Sequence, residues 1–188
     1  MFRLRADVKI ERAEDTYAAA NEDGTPDPRS EALPKRTLTS EKPTETASDY
    51  NAQRIAAGVP EWGEDYRAAE VFPTDINMDV MNGIDYKKGC FVGQEVASRM
   101  KRQGTLRKRT LHIEGASLEA GADITAATPI GAVTSVSGTH GLALIRLDRL
   151  AAQTLADNGL TCNGETVTVI TDSDDWAAQE IGKFYVDV

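Results

Sequence analysis

The sequence predicts an α+β chain that ends in a small antiparallel β-barrel. Three observations carry this expectation: a strict apolar alternation at the start, two helical patterns in the middle, and a change after Leu106 to short β-like runs separated by Gly and Asn. Short strands broken by regular turn signals suit a barrel, which leaves no open edge. The boundary falls near Gly104, with residues 1–104 forming the α+β portion and residues 105–188 the β module.

Each element follows from its local pattern. Phe2, Leu4, Ala6, Val8 and Ile10 alternate with Arg3, Arg5, Asp7 and Lys9, as in a strand with one buried face. No element precedes that strand, so its neighbour must come from later in the chain, from another subunit, or from a region absent from the sequence. An orphan edge of this kind invites self-association. Residues 14–47 hold Pro26, Pro28, Pro34 and Pro43 among Asp, Glu, Thr and Ser, which reads as a long polar surface loop. Ser48 opens a helical pattern through Tyr50, Ile55 and Ala56 that ends at Gly58 and Pro60, and a second short helix is expected within 61–71. The turn-rich VFPTDINMDVMNGIDYKKGC then leads into the amphipathic run GQEVASRMKRQG, a helix stopping at Gly104. The β module offers RTLHIEG, PIGAVTSVSG, GLALIRL, ETVTVIT and KFYVDV, with one helix at 148–157.

Composition bounds the function. At 40% hydrophobic and 27% charged, with no apolar run near the ~18 residues a membrane helix requires, a soluble protein with no membrane partner is expected. The start MFRLRADVKIERAED has no apolar signal region, so a cytoplasmic location is the expectation. Cys90 and Cys162 are far apart, outside any CxxC pair and not beside His at ligand spacing, which gives two reduced thiols and no metal site. The net charge of −9 disfavours non-specific binding to nucleic acid.

The segment KGCFVGQEVASR, 88–99, concentrates the chemistry. Gly89 and Gly93 bracket Cys90 in a tight turn before a helix whose N-terminal dipole, with Lys87 and Lys88, favours a thiolate. A small buried hydrophobe in a turn fits the same residues. Gln94 and Glu95 fall in the first helical turn, where they serve as caps or hold the turn so that Cys90 faces a pocket. Arg99, Lys101, Arg102, Arg107, Lys108 and Arg109 form the one dense basic cluster, readable as a solvated face, as a seat for an anionic ligand tail, or as a contact for RNA backbone. Asp75, Asn77 and Asp79 alternate, so in an extended segment they would present acceptors on one side, suited to the N–H groups of a pterin. An ordinary solvated loop has the same composition. His112 and His140 receive no role.

The string KGCFVGQE resembles the KGC[YF]xGQE signature of the YgfZ folate-binding proteins, relatives of the glycine-cleavage T-protein that include mitochondrial forms acting in iron–sulfur cluster assembly. FRLRADVKI, RIAAGVPEWGED, FPTDINMD and IGAVTSVSGTHGLALIRLDR resemble further stretches of that family. The resemblance implies the C-terminal part of a T-protein-like folate-binding domain in residues 1–104, followed by the barrel. It implies tetrahydrofolate or a folate derivative as cofactor, and a supporting role in making or repairing iron–sulfur clusters, including those of tRNA-modifying enzymes, with no established turnover. Cluster enzymes or assembly proteins are then the partners, and a tRNA contact has only the basic cluster behind it. Cys90 is the functional thiol, and Lys88, Gly89, Phe91, Gly93, Gln94 and Glu95 shape its surroundings. Asp75 and Asn77 face the folate and Arg99 meets its carboxylates. An aminomethyltransferase of the T-protein type is the alternative, opposed by the lack of an RTGYTGE-like segment. Family members also carry about half a domain ahead of FRLRADVKI, so a truncated chain with an incomplete pocket is expected.

Overall fold

The computed structural model describes residues 13–44, 46–90, 93–103, 106–155, 159–171 and 176–183. The opening strand pattern, Phe91, the Gly104 boundary and nearly all of KFYVDV lie outside them. Strands β1 (Tyr17–Thr25) and β2 (Arg36–Thr39) pair antiparallel, Tyr17 opposite Thr39 and Ala20 opposite Arg36, with a register break before Thr25. This corrects the expectation of a long loop over 14–47. The strands escape a periodicity reading because β1 is exposed along most of its length, β2 has only four residues, and YAAA does not alternate. The return of the chain is fixed by charge: the buried Asp27 carboxylate accepts Arg29 Nη2 at 2.9 Å and also accepts Arg36 Nη2.

Helix α1 (Ala47–Ala56) is capped by Thr46, two residues ahead of the expected opening residue Ser48. Thr46 and Asp49 form a reciprocal capping box, the Thr46 hydroxyl accepting the Asp49 N–H and the Asp49 carboxylate accepting the Thr46 N–H at 2.9 Å. The expected helix within 61–71 is a set of turns closed by a Trp62–Tyr66 bridge. Gly63 takes φ +91° there, and the Asp65 side chain is committed to other partners, so the helical ladder does not form. Residues 73–84 likewise coil through successive turns, with Met78 N–H donating to Pro73 O and both Gly83 and Ile84 N–H donating to Met78 O. Helix α2 (Gln94–Gln103) follows.

The barrel comprises β3 (Lys108–Gly115), β4 (Asp123–Thr125), β5 (Pro129–Ser137), β6 (His140–Arg146), β7 (Leu160–Cys162) and β8 (Glu165–Val169), with helix α3 (Leu147–Leu155) between β6 and β7 and α4 (Trp176–Gly182) at the end. The strands close in the order β3-β6-β5-β4-β7-β8, every pairing antiparallel. Alternation sets the faces: Leu111 and Ile113 turn into the core with Val133, Ala143 and Ile145, while His112 and Glu114 turn outward. Cys162 is a buried member of this core. Among the described residues no helix is long and apolar enough to cross a membrane.

Buried ions join the two portions. Arg54 and the Asp65 side chain are about 1% exposed and meet at 2.6 Å. A bulge in β5 sets Val133 opposite Ala143 but Ser135 opposite Leu142, leaving Thr134 extra. The hydroxyls of Thr134 and Ser135 consequently both reach the same Asp65 oxygen.

Candidate functional site

Gly93 sits at φ +85°, a conformation open chiefly to glycine, and the chain turns there into α2. Val96, Ala97 and Met100 repeat at helical spacing and lay α2 against the 73–84 coil. Between them is a cavity of about 330 Å³ lined by Pro73, Thr74, Met78, Gly83, Ile84, Gly93, Val96, Ala97 and Met100. Its wall is mainly apolar. The Thr74 hydroxyl is its polar group, 3.8 Å from Met100 Sδ. Phe72, Met78 and Val96 leave large parts of their side chains in solvent around it.

The signature residues divide by position. Lys88, Gly89 and Cys90 are exposed on the chain leading to α2, and Cys90 is not among the residues lining the cavity, whereas Gly93 is. Gly89 does not have the positive φ that Gly93 has. Gln94 is half-buried at the start of α2, and Glu95 accepts Arg99 Nη2 at 2.7 Å in an exposed pair one turn apart.

Asp75 and Asn77 are brought together, in a coil and not in the extended segment expected. Thr110 of β3 donates its N–H to Asp75 O at 2.8 Å and its hydroxyl to the same oxygen, and Asn77 Nδ2 donates to Thr110 O at 2.7 Å. Asn77 holds φ +62°, which Asn tolerates better than most residues, and its buried Oδ1 has no hydrogen-bond partner among the described residues. The Asp75 carboxylate accepts the Phe72 N–H at 3.0 Å. Burial pushes its carboxyl above the ordinary value, against the pull of that N–H and of the Lys108 and Arg109 charges. Asp79 points elsewhere, pairing through both oxygens with Arg109, which also donates to Thr74 O at 2.8 Å. Arg109 is fully buried, so the basic cluster is broken up: Arg107 and Lys108 face solvent while Arg109 locks the coil to the barrel.

Two further features were not legible from sequence spacing. His112 of β3 and His140 of β6 meet across the ladder, Nε2 to Nδ1 at 3.2 Å. Burial, then the neighbouring His140, lowers the His112 pKa. The second is the network around Asp27, in which Arg29 also reaches Glu61 at 2.9 Å and the Tyr50 hydroxyl at 2.8 Å. Burial pushes the Asp27 carboxyl up, and the Arg29 hydrogen bonds more than offset it, so the group stays below the usual carboxylate range.

A closed antiparallel barrel, preceded by a cysteine-bearing loop and an amphipathic helix set over an apolar cavity, is the class of protein these features define. Residues 96–179 match the family model described as the CAF17, C-terminal beta-barrel domain. The chain is 37% identical over 118 residues to a protein of Neurospora crassa named iron-sulfur cluster assembly factor IBA57 homolog, mitochondrial, covering 56% of this chain and 27% of that protein. It is 30% identical over 110 residues to the Homo sapiens iron-sulfur cluster assembly factor IBA57, mitochondrial, covering 54% of this chain and 31% of the relative. The matched part is thus under a third of either relative's length. The crystal structure of glycine cleavage system aminomethyltransferase T from Bartonella henselae aligns at a TM-score of 0.47 and 16% identity, over 65% of this chain and 37% of that one. The similarity found is to CAF17 and IBA57 proteins, to which the YgfZ type is related. The cytoplasmic expectation is corrected by the same comparison, since both of these relatives are named as mitochondrial proteins.

Proposed function

We propose that this chain supports the assembly or repair of iron–sulfur clusters in the mitochondrion as a folate-binding accessory protein of the YgfZ type. Cys90 is its working thiol, and the clusters of tRNA-modifying enzymes are among those served. The observation that carries the reading is the exposed Cys90 in KGCFVGQE, directly ahead of a helix that roofs an apolar cavity. Similarity to IBA57 proteins supports the cluster role. In this reading residues 1–104 are part of the folate-binding domain and 105–188 the barrel that supports it.

The cavity fits one end of tetrahydrofolate. About 330 Å³ lies at the lower end of the roughly 300–1,000 Å³ of small-molecule sites, room for a bicyclic ring but not for the glutamyl tail. Thr74 offers that ring a hydroxyl, and Asp75 and Asn77 hold the coil in place by pinning it to β3. The tail leaves along exposed α2, where Arg99 can exchange Glu95 for a ligand carboxylate. Bound folate supplies a one-carbon carrier; the protein's own residues bind and orient it.

Two measurements separate the parts of the reading. Calorimetric titration with tetrahydrofolate should show saturable binding that Ala97→Trp, which fills the cavity, removes; no binding by the unaltered chain overturns the folate part. In a strain lacking the gene, Cys90→Ser should fail to restore the activity of an iron–sulfur enzyme. Full restoration overturns the thiol's role.

A further inference from the structure

We propose that His112 and His140 form a chelating site for a divalent transition-metal ion, tightest for copper(II), on the outer face of the barrel. β3 and β6 pair with His112 opposite Leu142 and Glu114 opposite His140, so both imidazoles and the Glu114 carboxylate project from one face. His112 Nε2 and His140 Nδ1 stand 3.2 Å apart, their rings tilted by 40°. Two metal–nitrogen bonds of ~2.05 Å spanning that gap subtend about 100° at the ion, between the octahedral and tetrahedral angles. The separation that makes this a hydrogen bond also makes it a chelate bite.

Occupancy requires no net loss of a proton from neutral rings. One imidazole now donates its N–H to the other; when that proton shifts to the donor's second ring nitrogen, both facing nitrogens present lone pairs. Glu114 is exposed and contributes negative charge beside His112. Among the described residues no three His, Cys, Asp or Glu already converge as a metal-binding group, so the site is a two-nitrogen chelate completed by solvent. Access is provided by a second cavity of about 330 Å³, which His112 lines with Gly58, Met81, Thr110, Ile170 and Ala177. Two imidazoles without thiolate favour ions late in the divalent series, with copper(II) first.

The test uses the full chain as Cys90→Ser, so that the exposed thiol does not compete, titrated with copper(II) and with zinc(II). One copper(II) ion per chain should bind, tighter than zinc(II), with an electron paramagnetic resonance spectrum showing coupling to two nitrogens. His112→Ala and His140→Ala should each weaken binding by at least about tenfold and remove one nitrogen coupling. The spectrum of the Cys90→Ser chain needs no histidine variant to fold. Absence of copper(II) binding, zinc(II) binding tighter than copper(II), coupling to fewer than two nitrogens, or unchanged affinity in His140→Ala overturns the proposal. None of these outcomes bears on the iron–sulfur reading.

Discussion

From residue 108 to 169 the largest fully buried side chains are mostly aliphatic, Ile113, Ile124, Ile130 and Ile145 among them, whereas ahead of the barrel Arg54 and Asn77 stand beside Ile55 and Val59 in that group. The barrel holds itself by removing apolar surface from water, about 25 cal/mol per Å², and by a closed ladder that leaves no strand edge. The region ahead of it buries ions and amides instead, held by named partners, although Asn77 Oδ1 has none among the described residues. Such a region depends on single polar residues, because a buried charge deprived of its partner costs more than a missing methyl group. The signature helix and its cavity belong to this second region, and Arg109–Asp79 and Asn77–Thr110 fasten them to the barrel.

The largest expected effect follows from Asp65, whose carboxylate serves Arg54, the Glu61 N–H and the hydroxyls of Thr134 and Ser135. Asp65→Ala leaves a fully buried guanidinium without its carboxylate, only the neutral Asn51 Oδ1 and Val59 O still accepting from it, and should cost about 3–5 kcal/mol in urea unfolding. A loss below 1 kcal/mol would erase the contrast between the regions. By comparison Ile113→Val, a methyl group removed from the centre of the barrel core, should cost about 1 kcal/mol. If the order of the two variants reversed, the barrel would be the more sensitive region.

These same differences decide what could be read from sequence. Strands β3, β5, β6 and β8 were legible as short β-like runs set off by Gly and Asn, and KGCFVGQE because its Gly and Cys spacing is distinctive. Strands β4 and β7 were not, at three residues each, too short to show a period. The β1–β2 pair was hidden because what fixes it is Asp27 with Arg29 and Arg36, a contact that no hydrophobic pattern announces. Arg109 illustrates the limit most sharply. In sequence it is the end of a basic cluster, and only the fold shows that it is buried against Asp79, thirty residues earlier. The His112–His140 pair is equally invisible, since 28 residues separate two rings that antiparallel pairing brings together.

A smaller effect distinguishes structural from ligand-facing acids in the second region. The folded-state pKa of Asp75 is raised, so the group contributes its full stability below the unfolded value of about 3.9 and loses it as pH rises through the folded value. At pH 7 the ionised carboxylate is therefore a liability. Asp75→Asn keeps an oxygen for the Phe72 N–H and should melt at an equal or higher temperature at pH 7, with the advantage fading toward pH 4. A lower melting temperature at pH 7 would show that the negative charge itself is needed to hold the coil against Lys108 and Arg109.

The smallest stability effect belongs to the exposed rim of the site, where Arg99 and Glu95 are 61% and 86% exposed. Arg99→Ala should change unfolding free energy by no more than about 0.3–0.5 kcal/mol, because a solvent-screened pair one helical turn apart contributes little. The same substitution should weaken tetrahydrofolate binding, and the loss should shrink for a folate analogue without the glutamyl carboxylates. A stability loss well above that range would make Arg99 part of the polar scaffold; unchanged binding of the parent and truncated ligands would place the tail elsewhere. Because exposure removes Arg99 from the stability balance that governs Asp65 and Arg109, any effect it has on ligand can be attributed to recognition.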